Sequence, residues 1–262
     1  MQPDARPVRS IVAHLRPPSP SAPERLPTYR ALLRTLDISV RFLSATATGG
    51  GTFDYADELL RGWATDILRY GNLALDAAGL EAFDRREPFV VMSNHGSMLD
   101  IPVLTAAVPT SLRMVTKEEL MRVPIWGRAM IASGFIPISR GDRARAIREL
   151  DLAKQRLAQG ISVWISPEGT RSRDGQLGPF KKGGFYLALD LGIPILPTWL
   201  EGVSETLPAR TLRVRCNQRI TVRFGQPIST SHLGRDAVPA LMDRVRASIV
   251  ELSGRPDPLA VA

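Results

Sequence analysis

The sequence predicts a layered α/β fold: a mixed sheet flanked by helices, preceded by an N-terminal amphipathic helical hairpin. Three observations predict it. From about Leu73 onward, short apolar runs of strand length alternate with helical patterns. Between Tyr29 and Leu68, apolar residues recur at steps of three and four on two consecutive segments. The composition, 44% hydrophobic, 23% charged and 6% aromatic over 262 residues, is that of an ordinary globular chain. It excludes wholesale disorder, collagen and a coiled coil.

The elements follow in order. Residues 1–27 carry Pro3, Pro7, Pro17, Pro18, Pro20, Pro23 and Pro27 among basic side chains and read as a mobile basic tail. Residues 28–71 form the hairpin. Its first helix carries Tyr29, Leu33, Leu36, Val40 and Leu43 along one stripe, with Arg30, Arg34 and Arg41 elsewhere on its surface. The glycines at 49–51 break it. The second helix repeats Tyr55, Leu59, Trp63 and Ile67 four apart, with Leu60 and Leu68 beside them. We read the pair as a membrane-interface element whose arginines reach lipid headgroups; the alternative is a hairpin packed on the core.

The α/β region then occupies 72–262. Leu73–Leu80 alternates as a strand, and Phe89–Met92 is a short buried one. Asp100–Val108 is helical, with Pro102 in the first turn where its missing N–H is harmless. Leu112–Val115 and Phe135–Ile138 are strands separated by short helices over Lys117–Arg122 and Trp126–Ser133. Asp142–Gln159 is a helix with Ala146, Leu150, Ala153 and Leu157 on one face and Gly160 as its stop. Strands at Ile161–Ile165 and Ile195–Leu200 flank a helix over Gly184–Leu191. Arg213–Arg215 and Ile220–Phe224 suggest a late basic hairpin, and Ala237–Leu252 is the final helix.

Charge and cysteine content narrow the function. Thirty-four Lys+Arg against 26 Asp+Glu give +8, which points to an anionic partner. Cys216 is the single cysteine, so no intramolecular disulfide and no thiolate metal cluster is expected. No segment approaches the roughly 18 uninterrupted apolar residues needed to span a bilayer, and the N-terminus lacks a signal-peptide apolar region. The expectation is a cytoplasmic protein that touches membranes only peripherally, with no transmembrane helix.

Two segments carry chemistry. The first is Ser93-Asn94-His95-Gly96-Ser97-Met98-Leu99-Asp100, between a buried strand and a helix. Five residues of ideal helix turn about 500°, leaving His95 and Asp100 roughly 140° apart, so they meet only if His95 lies in the turn. An aspartate on one imidazole nitrogen fixes the tautomer and leaves the other nitrogen to take a proton. The second is Ser166-Pro167-Glu168-Gly169-Thr170-Arg171-Ser172-Arg173, also after a buried strand. Its glycine, hydroxyls and arginines suit a phosphate. Phe180-Lys181-Lys182-Gly183-Gly184 follows as a basic turn opening a helix, and Gly134–Arg140 is a strand ending in an arginine.

In this order, Asn94-His95-x4-Asp100, Gly134…Arg140, Pro167-Glu168-Gly169-Thr170-Arg171 and Ile193-Pro194-Ile195-Leu196-Pro197 resemble the four blocks of the glycerolipid acyltransferases, and within them the bacterial 1-acylglycerol-3-phosphate acyltransferases. Thr116-Lys117-Glu118-Glu119-Leu120 with Pro124 and Gly127 matches the lysine-containing segment of that family. The resemblance covers roughly 72–230. The third block departs from it, reading Ser166-Pro167 where the family has Phe-Pro.

The resemblance implies a glycerol-3-phosphate acyltransferase-like fold, with 72–262 as the acyltransferase domain. It implies acyl transfer from acyl-CoA or acyl carrier protein to a lysophospholipid hydroxyl, with lysophosphatidic acid giving phosphatidic acid. His95 would be the base and Asp100 its orienting partner. Asn94, Gly96, Ser97, Lys117, Arg140, Glu168, Gly169, Thr170 and Arg171 would line the substrate site, an amide near Gly96 or a neighbouring donor serving the oxyanion. No metal or other cofactor is expected beyond the thioester co-substrate. The partners expected are the lysophospholipid, the thioester, an anionic membrane surface and acyl carrier protein, with no nucleic acid. The same chemistry on a lyso-ornithine lipid, another lysophospholipid or glycerol 3-phosphate is the near alternative. A serine hydrolase lacks its Gly-x-Ser-x-Gly elbow, and a basic binding module would leave His95 and Asp100 without a role.

Overall fold

The computed structural model describes residues 8–12, 24–138, 143–172 and 175–259. Strand β1 (Val8–Val12) precedes helices α1 (Leu26–Ala47) and α2 (Phe53–Tyr70). There follow β2 (Ala74–Ala78), β3 (Val90–Ser93), α3 (Asp100–Ala107) and β4 (Leu112–Lys117), then α4 (Trp126–Ala132), β5 (Ile136–Ile138) and α5 (Arg143–Ala158). The chain continues through β6 (Ser162–Ile165), α6 (Gly183–Leu191), β7 (Ile195–Glu201), α7 (Val203–Thr206), β8 (Arg219–Phe224) and α8 (Val238–Ser253). The sheet runs β1-β2-β8-β7-β3-β6-β4-β5. β7, β3, β6, β4 and β5 are mutually parallel, β8 runs antiparallel to β7 and parallel to β2, and β1 closes the edge antiparallel to β2.

Both faces of this sheet are covered. Because side chains alternate along a strand, Val91, Trp164 and Leu196 enter one core with residues of α2 and α3. Their neighbours Val90, Val163 and Ile195 enter the other, with residues of α5, α6 and α8. Burial on both faces explains why these strands read as continuous apolar runs. The five parallel strands all point their carboxyl ends to one edge, the end of an open α/β sheet at which ligands are bound.

Two expectations are corrected. The segment that reads as a mobile tail contributes β1, with Val8 opposite Ala78 and Val12 opposite Leu75. Val8, Ile11 and Val12 favour strand, and β2 leaves an edge for them. The chain is also tied at Glu24, which bridges Val214. The late basic hairpin does not form. Val214 pairs with Glu24 instead, and β8 lies inside the sheet between β2 and β7. Arg219 pairs with Asp76, and Arg223 donates to Glu201 at 3.2 Å, so both are ion-paired on a strand inside the sheet, Arg219 while still largely exposed.

α1 and α2 pack as the expected pair, but their stripes differ. On α2, Ile67 and Leu68 are buried in the core of the domain, and Leu59 is buried between the two helices with Phe42 and Ala56. On α1 the stripe of Tyr29, Leu33, Leu36 and Val40 faces solvent, Leu33 being 68% exposed, while Ile38 and Phe42 make the inward contacts.

Candidate active site

The turn after β3 is locked before it reaches His95. The Asn94 side chain donates to the Leu200 carbonyl at 3.0 Å and accepts from the Leu200 amide at 2.8 Å, pinning the end of β3 to β7. The Ser97 hydroxyl donates to the Leu207 carbonyl at 2.7 Å and accepts from the Leu99 amide at 3.1 Å. Both were expected to line the substrate site, and both have their side chains engaged in holding the fold. A Cβ on Gly96 would run into the Ser204 hydroxyl, so a larger residue there would force the Ser204 side chain to move.

This leaves His95 in the turn and Asp100 at the first residue of α3, the arrangement the angular argument requires. His95 Nδ1 lies 2.6 Å from Asp100 Oδ2. The same oxygen accepts the amides of Gly96 and Ser97, each at 3.0 Å. Asp100 is fully buried, and the start of a helix favours its charge. The Gly96 amide itself is therefore already taken by Asp100, which leaves an oxyanion to a neighbouring donor. Asp100 Oδ1 has no hydrogen-bond partner among the described residues. The His95 side chain keeps 21% of its surface exposed, and the edge of the Trp164 ring meets it at 5.3 Å between centroids. Trp164, which no sequence motif flagged, is held by a bond from Nε1 to the Ser93 hydroxyl at 2.9 Å.

The second segment closes on the first. Glu168 accepts the His95 amide at 3.0 Å on one oxygen and the Gly178 amide at 2.9 Å on the other. The Ser172 amide donates to the His95 carbonyl at 2.7 Å. His95 is thus gripped by its backbone from both sides of the Glu168-Gly169-Thr170-Arg171 turn. Gly169 adopts φ +67°, and the Lys181 side chain lies where a Cβ would project. Thr170 and Arg171 are exposed beside this turn. Lys117, also exposed, ends β4 on the same edge of the sheet. Arg140 lies outside the described residues.

Burial pushes the Glu168 carboxyl above its ordinary value, and the amides of Gly178 and His95 oppose the shift without cancelling it. The folded protein therefore holds this proton to higher pH than the unfolded chain. The group's contribution to stability falls as pH rises from the ordinary glutamate value through the folded one. Glu168→Gln removes that slope and leaves a constant offset. In thermal melts from about pH 4 to about pH 7, the variant should gain on the wild type as pH rises; parallel curves would contradict this assignment.

A sequence model of the Acyltransferase family matches residues 75–201. The 1-acyl-sn-glycerol-3-phosphate acyltransferase alpha of Mus musculus is 34% identical over 184 residues, 70% of this chain and 64% of that protein. The chain therefore spans under two thirds of the length of that relative. The 1-acyl-sn-glycerol-3-phosphate acyltransferase beta of Homo sapiens is 30% identical over 234 residues, 87% of this chain and 83% of that one. The crystal structure of the 1-acyl-sn-glycerophosphate (LPA) acyltransferase PlsC from Thermotoga maritima has the same fold, with a TM-score of 0.66 and 22% identity over 88% of this chain and 99% of that chain. The likeness runs through the strands and turns that carry His95, Asp100 and Glu168, and the chain belongs to the acyltransferase family.

Proposed function

We propose that this protein transfers a fatty acyl group from an acyl-CoA or acyl carrier protein thioester to the free hydroxyl of 1-acyl-sn-glycerol 3-phosphate, giving phosphatidic acid. The observation that carries the reading is the 2.6 Å contact between His95 Nδ1 and a buried Asp100 oxygen. It engages Nδ1 and leaves Nε2 without a hydrogen bond among the described residues, on a ring that is partly exposed. An alcohol is a poor nucleophile at neutral pH. Nε2 takes its proton as the oxygen attacks the thioester carbonyl and a C–O bond forms. The C–S bond then breaks, and the departing thiolate takes the proton back from the imidazolium. Asp100 stabilises the imidazolium in between. Lys117 and Arg171, exposed on the same end of the sheet, are suited to the acceptor's phosphate.

The test is thiol release from oleoyl-CoA or oleoyl-acyl carrier protein against a panel of lysolipids. Release that depends on lysophosphatidic acid supports the reading. Release independent of any acceptor makes the protein a thioesterase and sinks it. Release with a lyso-ornithine lipid alone moves the acceptor to one without phosphate and removes the role given to Lys117 and Arg171.

The lipid acceptor requires access to a bilayer, and no helix among the described residues is long and apolar enough to cross one. The outward stripe of α1 supports an interfacial mode. Leu26, Tyr29, Leu32, Leu33, Leu36 and Val40 are all exposed, next to Arg30 and Arg41. A contiguous apolar face of this kind marks an interaction surface. Leu33→Asp with Leu36→Asp should weaken sedimentation with phosphatidylglycerol vesicles about tenfold or more, since each leucine can contribute on the order of 1.5–3 kcal/mol when buried. The melting temperature should hold, because neither side chain packs on the core. Unchanged sedimentation would remove α1 from the interface.

A further inference from the structure

Glu168 is held from behind by a part of the chain that no motif singled out. Its oxygen Oε2 accepts the Gly178 amide at 2.9 Å. The segment carrying that amide is gripped by Arg246 of α8, more than sixty residues further on. Arg246 donates to the Gly178 carbonyl at 2.8 Å and to the Leu177 carbonyl at 3.1 Å. Its guanidinium lies 5.3 Å from the centroid of Phe180. Asp257, just past the end of α8, holds the other side of the guanidinium, accepting from Nε at 2.8 Å and from Nη2 as well. The Arg246 side chain is largely buried, and a planar, forked donor is the group that can serve two carbonyls and a carboxylate together.

We propose that Arg246, held by Asp257, is a positioning residue for the catalytic turn: it fixes the 177–178 backbone, which fixes Glu168, which fixes the His95 backbone. The chain of contacts is continuous. Glu168 spans the Gly178 and His95 amides, one on each oxygen, so displacement of the 177–178 segment frees the carboxylate that orients His95. The contacts of Arg246 run to Leu177, Gly178, Phe180 and Asp257 and not to the His95 ring, so its effect should fall on the rate of the chemical step. Small displacements of a reacting group are costly, up to about 100-fold for about 1 Å. This assignment rests on the reading of His95 as the base.

The experiment is a double-mutant cycle on the full chain, with oleoyl-CoA and lysophosphatidic acid in detergent micelles, well below each variant's melting temperature. Arg246→Ala should lower kcat about tenfold or more with KM for lysophosphatidic acid within about twofold. Asp257→Asn should do the same more weakly, and it reports on the strut if Arg246→Ala does not fold. Combining either with Glu168→Gln should give a rate no lower than Glu168→Gln alone, because the route has already been cut. A merely structural strut would lower the melting temperature and multiply its effect with that of Glu168→Gln; that result, or an unchanged kcat in both single variants, overturns the proposal. His95→Ala is run alongside: if it stays active the base reading fails, while the cycle still reports whether Arg246 and Glu168 are coupled.

Discussion

With His95 as the base of the proposed reaction, His95→Ala should lower the rate of acyl transfer by about 10²–10⁴-fold, the range a positioned general base supplies. The loss should fall on kcat, because the proposed phosphate site at Lys117 and Arg171 does not include the imidazole. The fold should survive it. The bonds that His95 makes to Glu168 and Ser172 use its backbone amide and carbonyl, which alanine retains. The imidazole is partly exposed and packs through an edge contact with Trp164. A melting temperature near that of the wild type with the rate gone separates the chemistry from the scaffold. A rate within about threefold of the wild type would mean that another group takes the hydroxyl proton.

The two obvious replacements of Asp100 should behave differently, and the reason is the crowding at one oxygen. Oδ2 accepts His95 Nδ1 and the amides of Gly96 and Ser97, whereas Oδ1 has no partner among the described residues. In Asp100→Asn the new side chain must turn its carbonyl oxygen to the three donors, because its NH₂ would face two backbone N–H groups. The His95 tautomer is then kept and only the negative charge opposite the imidazolium is lost. Asp100→Asn should therefore cost about 10²-fold in kcat, less than the roughly 10⁴-fold seen where asparagine imposes the wrong tautomer. Asp100→Ala removes the acceptor altogether. It leaves two buried amides unsatisfied, each costing about 1–3 kcal/mol, so it should destabilise the protein by several kcal/mol as well as inactivate it. Rates and thermal melts of the pair decide the point. An Asp100→Asn variant as impaired as Asp100→Ala in both would show that the amides do not orient the side chain.

The elements were legible because burial on both sheet faces writes itself as short apolar runs, and one-sided burial as a helical stripe. Phe89–Met92, Ile161–Ile165 and Ile195–Leu200 could be read almost to the residue against β3, β6 and β7. The His95–Asp100 pair was legible because a strand-to-helix turn leaves few geometries in which the two side chains meet. Local patterns failed where a partner lies far away in the chain. Val8–Val12 becomes a strand only because β2 has a free edge, and Arg213–Arg215 is drawn to Glu24 and not to its neighbour β8. The stripe on α1 could be seen in the sequence, but periodicity reports that a face is apolar and not which way it points.

The roles within the site divide in the same way. Residue types, their order along the chain and the resemblance they carry were sufficient to single out His95, Asp100 and the Glu168-Gly169-Thr170-Arg171 turn as candidates; spacing alone left the His95–Asp100 pair open between a role in chemistry and a helix cap. Tertiary structure alone decided that Asn94 and Ser97 brace β7 and Leu207, that the Gly96 amide belongs to Asp100, and that Glu168 grips the backbone of His95. Trp164 and Arg246 entered the site only with the fold, through contacts that span tens of residues. A short-range pattern reflects the local conformational preferences of a segment. A hydrogen bond between residues 95 and 168, or 178 and 246, depends on how whole layers pack, and no window of sequence contains both partners.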